Sequence, residues 1–265
     1  MNIAGGVDFI GGGYGENEWD DCGGHGTHVA GTVGSRLYGV APGVTLWAVR
    51  VIDCEEKGSK AITIKGIEGC VQKSKEIGGK WIANLSLGGP YDELQNMAIA
   101  NARKQGIVMV VSAGNDSTDS CLKSPASEQS AITVAASNTY DEMTDFSNYG
   151  PCVDIFAPGD SILSYALKDP GEPNLTTFKK GTSMSAPHVT GVAALLFQNL
   201  DSANQVENAL FATAVAGRLS YIADSPNLLV QAPSKIPKAT RDAKGPDEKK
   251  GKQAKAGKAA KRRLI

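Results

Sequence analysis

Continuous apolar runs recur along this chain. Thr45–Val51, Trp81–Ser86, Ile107–Val111 and Ala131–Ala135 predict parallel strands buried on both faces. Helical spacing fills the intervals. Ile64, Ile67, Cys70 and Val71 share one face of a segment near 62–77, and Leu94, Met97, Ala98 and Ala102 share one near 93–105. Gly106 reads as a helix stop. Thr182 to Asn199 predicts one long buried helix with Pro187 in its early turns, and a last helix is expected near 203–213. Strand alternating with helix predicts an α/β fold, a mostly parallel sheet covered on both faces. No internal repeat is visible, and Pro233 opens a different kind of sequence.

Charge sharpens that boundary. The net charge is −1. Residues 233–265 carry 12 Lys/Arg against 3 Asp/Glu, while the rest of the chain carries 15 against 25. The expectation is a folded domain over 1–232 and a basic, disordered tail over 233–265 that has little to bury. A solvated tail and a tether to a polyanion or membrane surface both fit it. Hydrophobic residues make up 41% of the chain and Gly occurs 31 times, which suits a globular enzyme rich in turns. No apolar run approaches the roughly 20 residues of a membrane span, and the first residues lack a signal-peptide pattern.

Two short boxes carry candidate chemistry: Gly24-His25-Gly26-Thr27-His28, and Gly181-Thr182-Ser183-Met184-Ser185-Ala186-Pro187-His188. A serine opening an apolar helix sits beside unpaired N–H groups and the positive dipole end, which favours charge developing on a nearby oxygen. Gly-Thr-Ser there also reads as a plain helix cap. His25 and His28 at i, i+3 could hold a metal, but no third ligand accompanies them.

Taken together the boxes resemble the subtilase family, nearest its proteinase K group with an aqualysin-like cysteine pattern. The resemblance extends over about residues 3–231, through Ser112-Ala113-Gly114-Asn115, Phe146–Gly150 and Asp154–Gly159. It implies a subtilisin-like three-layer fold with a mostly parallel central sheet, lacking its N-terminal strand segment. It makes Ser183 the nucleophile, His25 the general base and Asn115 the oxyanion donor of a serine endopeptidase acting through an acyl-enzyme. Ser86, Leu87, Gly88, Gly89, Ala113 and Gly114 would bind the substrate as an added strand. An apolar residue would fill the slot at the cleaved bond. Glu56 stands where relatives carry a glycine, and Lys60 where an aromatic often lines the distal pocket.

The triad's aspartate is the departure. In this family it lies in an Asp-Thr/Ser-Gly box roughly 30 residues before the histidine, yet His25 has 24 residues before it and none of them forms such a box. The resemblance places that aspartate, on an inner strand, upstream of Met1. The alternative is a non-catalytic, peptide-binding pseudoprotease. An α/β-hydrolase esterase would need Gly-x-Ser-x-Gly and a late histidine, and neither occurs.

Cysteine spacing alone leaves several connectivities open among the five cysteines. The resemblance pairs Cys22 with Cys54 and Cys121 with Cys152, leaving Cys70 as a buried thiol. It further implies an extracellular, monomeric enzyme with protein or peptide substrates and an inhibitory propeptide. No cofactor would be needed for the chemistry, and no specific nucleic acid is expected as a partner. A structural calcium would be held by Asp154 and the carbonyls of Gln129 and Ala131. Of three Asn-x-Ser/Thr sequons, Asn84 and Asn115 are committed elsewhere, so Asn174 is the expected acceptor of glycan.

Overall fold

In the computed structural model, which describes residues 1–11, 17–167 and 175–234, the chain opens with β1 (Asn2–Asp8), passes through α1 (His25–Gly34) and returns in β2 (Thr45–Arg50). β1 and β2 pair in parallel, with a register shift between Ile3 and Gly5. A Cβ on Gly5 would stand 2.8 Å from the Trp47 ring, so glycine lets the indole lie against β1. Helix α2 (Lys60–Ile77) starts where the Ser59 hydroxyl accepts the Ile62 N–H and stops at Gly78, whose φ of 71° a side chain would resist.

β3 (Ile82–Leu85) and the short β4 (Gly89–Pro90) lead to α3 (Glu93–Lys104). Asp92 caps α3 by accepting the Gln95 N–H, and Arg103 and Lys104 sit at its negative end. The face α3 buries is Gln95, Asn96, Ile99 and Ala102. Leu94 and Met97, expected inside, are 66% and 60% exposed. The apolar spacing misleads because a polar residue turns inward: the Asn96 amide donates to Ser127 Oγ at 2.8 Å.

β5 (Val108–Ser112), β6 (Lys123–Ser124), β7 (Ile132–Ser137) and β8 (Ile155–Pro158) follow. Then come the antiparallel pair β9 (Ile162–Tyr165) and β10 (Thr176–Lys179), helices α4 (Thr182–Phe197) and α5 (Ala203–Thr213), and the short β11 (Val215–Ala216) and β12 (Leu228–Leu229).

The main sheet has the order β11-β12-β8-β7-β5-β3 and is parallel from β12 through β3. Val189, Val192 and Leu196 of α4 and Leu210 of α5 pack on one face, against Val110, Val134 and Ile155. Ile67, Val71 and Ile99 from α2 and α3 cover Leu85, Met109 and Val111 on the other. This is the three-layer α/β arrangement. β5 and β7 are buried along their whole length, whereas β2 and most of β3 are only half-buried. The difference follows from pairing. Among the described residues β2 pairs only with β1, and β3 only with β5, so each keeps one open edge. β3 and β5 end at Leu85 and Ser112, and the turns beyond these carboxyl ends carry the candidate site, as is general in α/β sheets.

Candidate active site

Helix α4 begins without a side-chain cap, after Gly181 at a φ of 142°. The Gly181 N–H donates to the Gly159 carbonyl at 2.8 Å. A Cβ on Gly159 would lie 2.6 Å from that of Ala136, so only glycine brings these segments together. Ser183, in the first turn, has no carbonyl four residues back in the helix to occupy its N–H. Pro187 has no N–H to return to the Ser183 carbonyl. That carbonyl instead accepts the Ser86 hydroxyl at 2.7 Å. The Ser183 hydroxyl in turn donates to the Ser86 carbonyl at 3.2 Å. Asn84 lies behind this pair: its amide donates to Ser86 Oγ at 2.9 Å, and its oxygen accepts the Thr190 hydroxyl at 2.8 Å.

Asn115 is oriented by Thr182. Its Oδ1 accepts the Thr182 N–H at 2.8 Å and the Thr182 hydroxyl at 2.9 Å. The acceptor end is therefore engaged on α4, leaving the Nδ2 donors for a group in the slot beside Ser183. Asn148 holds this turn from behind. Its amide donates to the Ala113 carbonyl at 2.8 Å, and its Oδ1 accepts the N–H groups of Asp116 and Thr118 at 2.9 and 3.1 Å. The Asn148 side chain fills the space beside Gly114, whose φ is 103°, so a side chain there is excluded twice over. Thr182 and Asn148 are functional supports that sequence reasoning missed; their roles exist only through contacts with Asn115 and its turn.

His25 is the first residue of α1. Asp21 builds the turn before it, accepting the N–H groups of Gly23, Gly24 and Thr27 and the Thr27 hydroxyl at 2.7–3.0 Å. Burial pushes the Asp21 carboxyl up, but the Thr27 hydroxyl and these N–H groups outweigh it and hold it below the usual carboxylate value. An Asp two to six residues before unpaired N–H groups is a signal the sequence did contain. His28, three residues after His25, is fully buried. Its Nε2 lies 3.0 Å from the Ile162 carbonyl and 3.2 Å from the Thr177 carbonyl. Nε2 must therefore carry the proton, and Nδ1 is left unpartnered. His28 ties α1 to the β9–β10 pair, and among the described residues no metal-ligand cluster forms around it.

Among the described residues, neither ring nitrogen of His25 has a hydrogen-bond partner, and no carboxylate reaches it. Burial lowers the His25 pKa below the ordinary 6.5, Glu56 and Asp21 pull it up, and Lys179 and His28 push it down. A depressed histidine binds fewer protons folded than unfolded. Its stability contribution is thus complete above pH 6.5 and is lost as pH falls toward the folded value. The same shift keeps the imidazole neutral into mildly acid solution. For a reaction that uses His25 as its base, the acid limb of kcat/KM is expected below pH 6.5, and Glu56→Gln should move it lower still. A pH–rate profile of both proteins checks this; a limb above 6.5 contradicts it.

Two adjoining cavities share Leu87, Gly88 and Gly89. One, of about 180 Å³, brings Ser183, Asn115, Ala113 and Gly114 together. Asp116 and Lys123 also line it as an ion pair at 2.8 Å, so the slot holds a pair of opposite charges, with no net charge, that the sequence did not suggest. The other, of about 400 Å³, runs from His25 past Glu56, Ser86 and Gly58 to Lys60. There the Lys60 ammonium meets Asp92 at 3.1 Å.

Cys22 is bonded to Cys54 and Cys121 to Cys152. The first bridge ties the histidine segment to the Glu56 turn. Cys70 is free, and burial pushes its thiol up to about 11, far from a reactive thiolate at neutral pH. Asn174 and residues 235–265 lie outside the described residues.

The sequence profile of the subtilase family matches residues 9–253. This chain belongs to the subtilase family. It is 45% identical over 221 residues to an extracellular serine proteinase of Thermus sp. (strain Rt41A), covering 80% of this chain and 51% of that protein. It is 48% identical over 194 residues to subtilisin-like protease 6 of Trichophyton soudanense, covering 69% and 46%. The subtilase thus spans about half the length of these relatives. Its fold matches the crystal structure of a cold adapted subtilisin-like serine proteinase with a TM-score of 0.81 at 36% identity, covering 88% of this chain and 82% of that one.

Proposed function

We propose that this subtilase is a secreted serine endopeptidase that cleaves peptide bonds through an acyl-enzyme on Ser183. One observation carries the reading: the hydroxyl of Ser183, the outward donors of Asn115 and an extended cleft edge at Leu87–Gly89 meet in one slot, with His25 on the adjoining cavity. In the reaction the Ser183 hydroxyl leaves the Ser86 carbonyl and gives its proton to His25 as its oxygen attacks the substrate carbonyl. The oxyanion is held by Asn115 Nδ2 and the Ser183 N–H. His25 then passes the proton to the leaving amine, and water repeats the sequence to release the acid. His25 performs this fully only with a carboxylate orienting it, and none does so among the described residues. The disulfides support an oxidising compartment, and one of the relatives is named extracellular. We also read the enzyme as a monomer, made with an inhibitory propeptide and acting on protein or peptide substrates. A sulfonyl fluoride reagent is expected to modify Ser183 in the folded chain, detected as one adduct by mass spectrometry and absent in Ser183→Ala. A folded chain that takes no adduct refutes the reading.

The lack of a partner for His25 among the described residues favours a second reading, a pseudoprotease that keeps the peptide cleft without turnover. It predicts peptide binding with no adduct.

The chemistry needs no cofactor. We propose one place for a structural calcium. Asp154 accepts the Thr133 N–H at 3.0 Å and donates its own to the Thr133 carbonyl at 2.9 Å, which sets its carboxylate at the start of β7, beside the turn with Gln129 and Ala131. One carboxylate with neighbouring carbonyls is a hard-oxygen donor set of the kind calcium accepts. A chelator is expected to lower Tm by a few degrees, about what loss of 1 kcal/mol gives in a domain this size. An unchanged melting curve removes the assignment.

A further inference from the structure

We infer that Glu56 makes the cleft selective for a basic side chain on the residue immediately preceding the one whose carbonyl is attacked. The inference rests on the peptidase reading of the cleft and names the substrate class for it.

The backbone at Glu56 is held by a hydrogen-bonded turn. The Asp53 carboxylate accepts the N–H groups of Glu55 and Lys57, each at 2.9 Å. The Asp53 N–H donates to the Lys57 carbonyl at 2.8 Å, and the Glu56 N–H to the Asp53 carbonyl at 3.1 Å. Cys54, inside the turn, is bonded to Cys22. This turn keeps Glu56 at a φ of 61°, a left-handed conformation that a residue with a Cβ adopts at a cost. Such an outlier points to a role for the side chain it carries.

Among the described residues the carboxylate has one direct partner. Its Oε1 lies 3.5 Å from Lys179 Nζ, a loose contact, with the two side chains 43% and 29% exposed. Among the described neighbours, Glu55 pairs with Lys57 at 2.7 Å, and Asp21 is engaged by its own turn. Glu56 lines the same cavity as His25, Ser86 and Gly88, and Lys179 does not. A peptide added along Ser86–Gly89 alternates its side chains between faces. The residue in the Ser183 slot therefore sends its predecessor toward His25 and Glu56. An ammonium or guanidinium there replaces a loose, half-solvated pair with one closed over by peptide, and Lys179 returns to water.

The test separates binding from chemistry. Dye-labelled Ala-Ala-Lys-Phe, Ala-Ala-norleucine-Phe and Ala-Ala-Glu-Phe amides are titrated against the full chain carrying Ser183→Ala, with anisotropy as the readout. The lysine peptide is expected to bind about tenfold tighter than the norleucine peptide, which shares its aliphatic stem. High salt should narrow the gap. Adding Glu56→Gln should remove it, and Glu56→Lys should turn the preference toward the glutamate peptide. Equal affinities, no binding of any peptide, a preference for glutamate in the parent protein, or a lysine preference that survives Glu56→Gln each overturn the inference. Failure of the sulfonyl fluoride to modify Ser183 would instead sink the peptidase reading, and the binding titration would still decide the role of Glu56.

Discussion

On the proposed peptidase reading, Ser183→Ala is expected to lower peptide hydrolysis by the 265-residue chain about 10²-fold, and by about 10⁶-fold in a longer form whose added segment sets an aspartate against His25. The two figures differ because the triad acts as a unit. In a subtilisin, loss of the serine costs roughly 2 × 10⁶ in kcat and loss of the aspartate alone roughly 3 × 10⁴. Once the carboxylate is gone, little of the serine's contribution is left to remove. No carboxylate orients His25 among the described residues, so the chain begins near the lower level. The check is kcat for four proteins: both lengths, with and without Ser183. Equal losses at both lengths, or a longer form no faster than the shorter, would refute the role given to His25. Physically, the added carboxylate would fix the imidazole tautomer and stabilise the imidazolium formed when Ser183 is deprotonated.

Asn115→Ala in that longer form is expected to cost about 10²–10³ in kcat with little change in KM, the magnitude known for a subtilisin oxyanion donor. The donor meets negative charge only in the transition state, so ground-state binding is spared. Asn115 also accepts two bonds from Thr182, so alanine alone would mix catalysis with loosening of α4. Asn115→Asp separates the two. It keeps the acceptor for Thr182 and replaces the donor with a charge that repels the oxyanion. It should retain the melting temperature of the parent and lose at least as much kcat as alanine. Steady-state kinetics beside thermal melts decide it; an aspartate variant of near-parental activity contradicts the assignment.

Much of the scaffold was legible in the residue pattern. β5, β7 and α4 are buried throughout or nearly so, so almost every position is apolar or small and the run identifies itself. β1 was missed. It is a glycine-containing strand whose core contact is Trp47, more than forty positions away, so no local periodicity marks it. Leu94 and Met97 misled because helical spacing is symmetric: it shows that a face exists, and here the inward one carries Asn96, held by Ser127. In the site, Ser183, His25 and Asn115 each lie in short boxes whose residue types the chemistry requires. Thr182, Asn148 and Asp21 are common turn and cap residues, and their bonds to the Asn115 and His25 segments depend on which turns the sheet brings together.

The sequence by itself determined the family and the layered α/β architecture, and it singled out the three side chains on which the proposed chemistry rests, because buried periodicity and compact motifs are local properties. The tertiary structure alone decided how those groups are poised. Pro187 frees the Ser183 carbonyl for Ser86, Thr182 engages the acceptor end of Asn115, and among the described residues no carboxylate pairs with His25. The tertiary structure likewise set the charge of the cleft. Glu56 and Lys179 are 123 residues apart, and only the tertiary fold makes them neighbours beside the cavity that His25 lines.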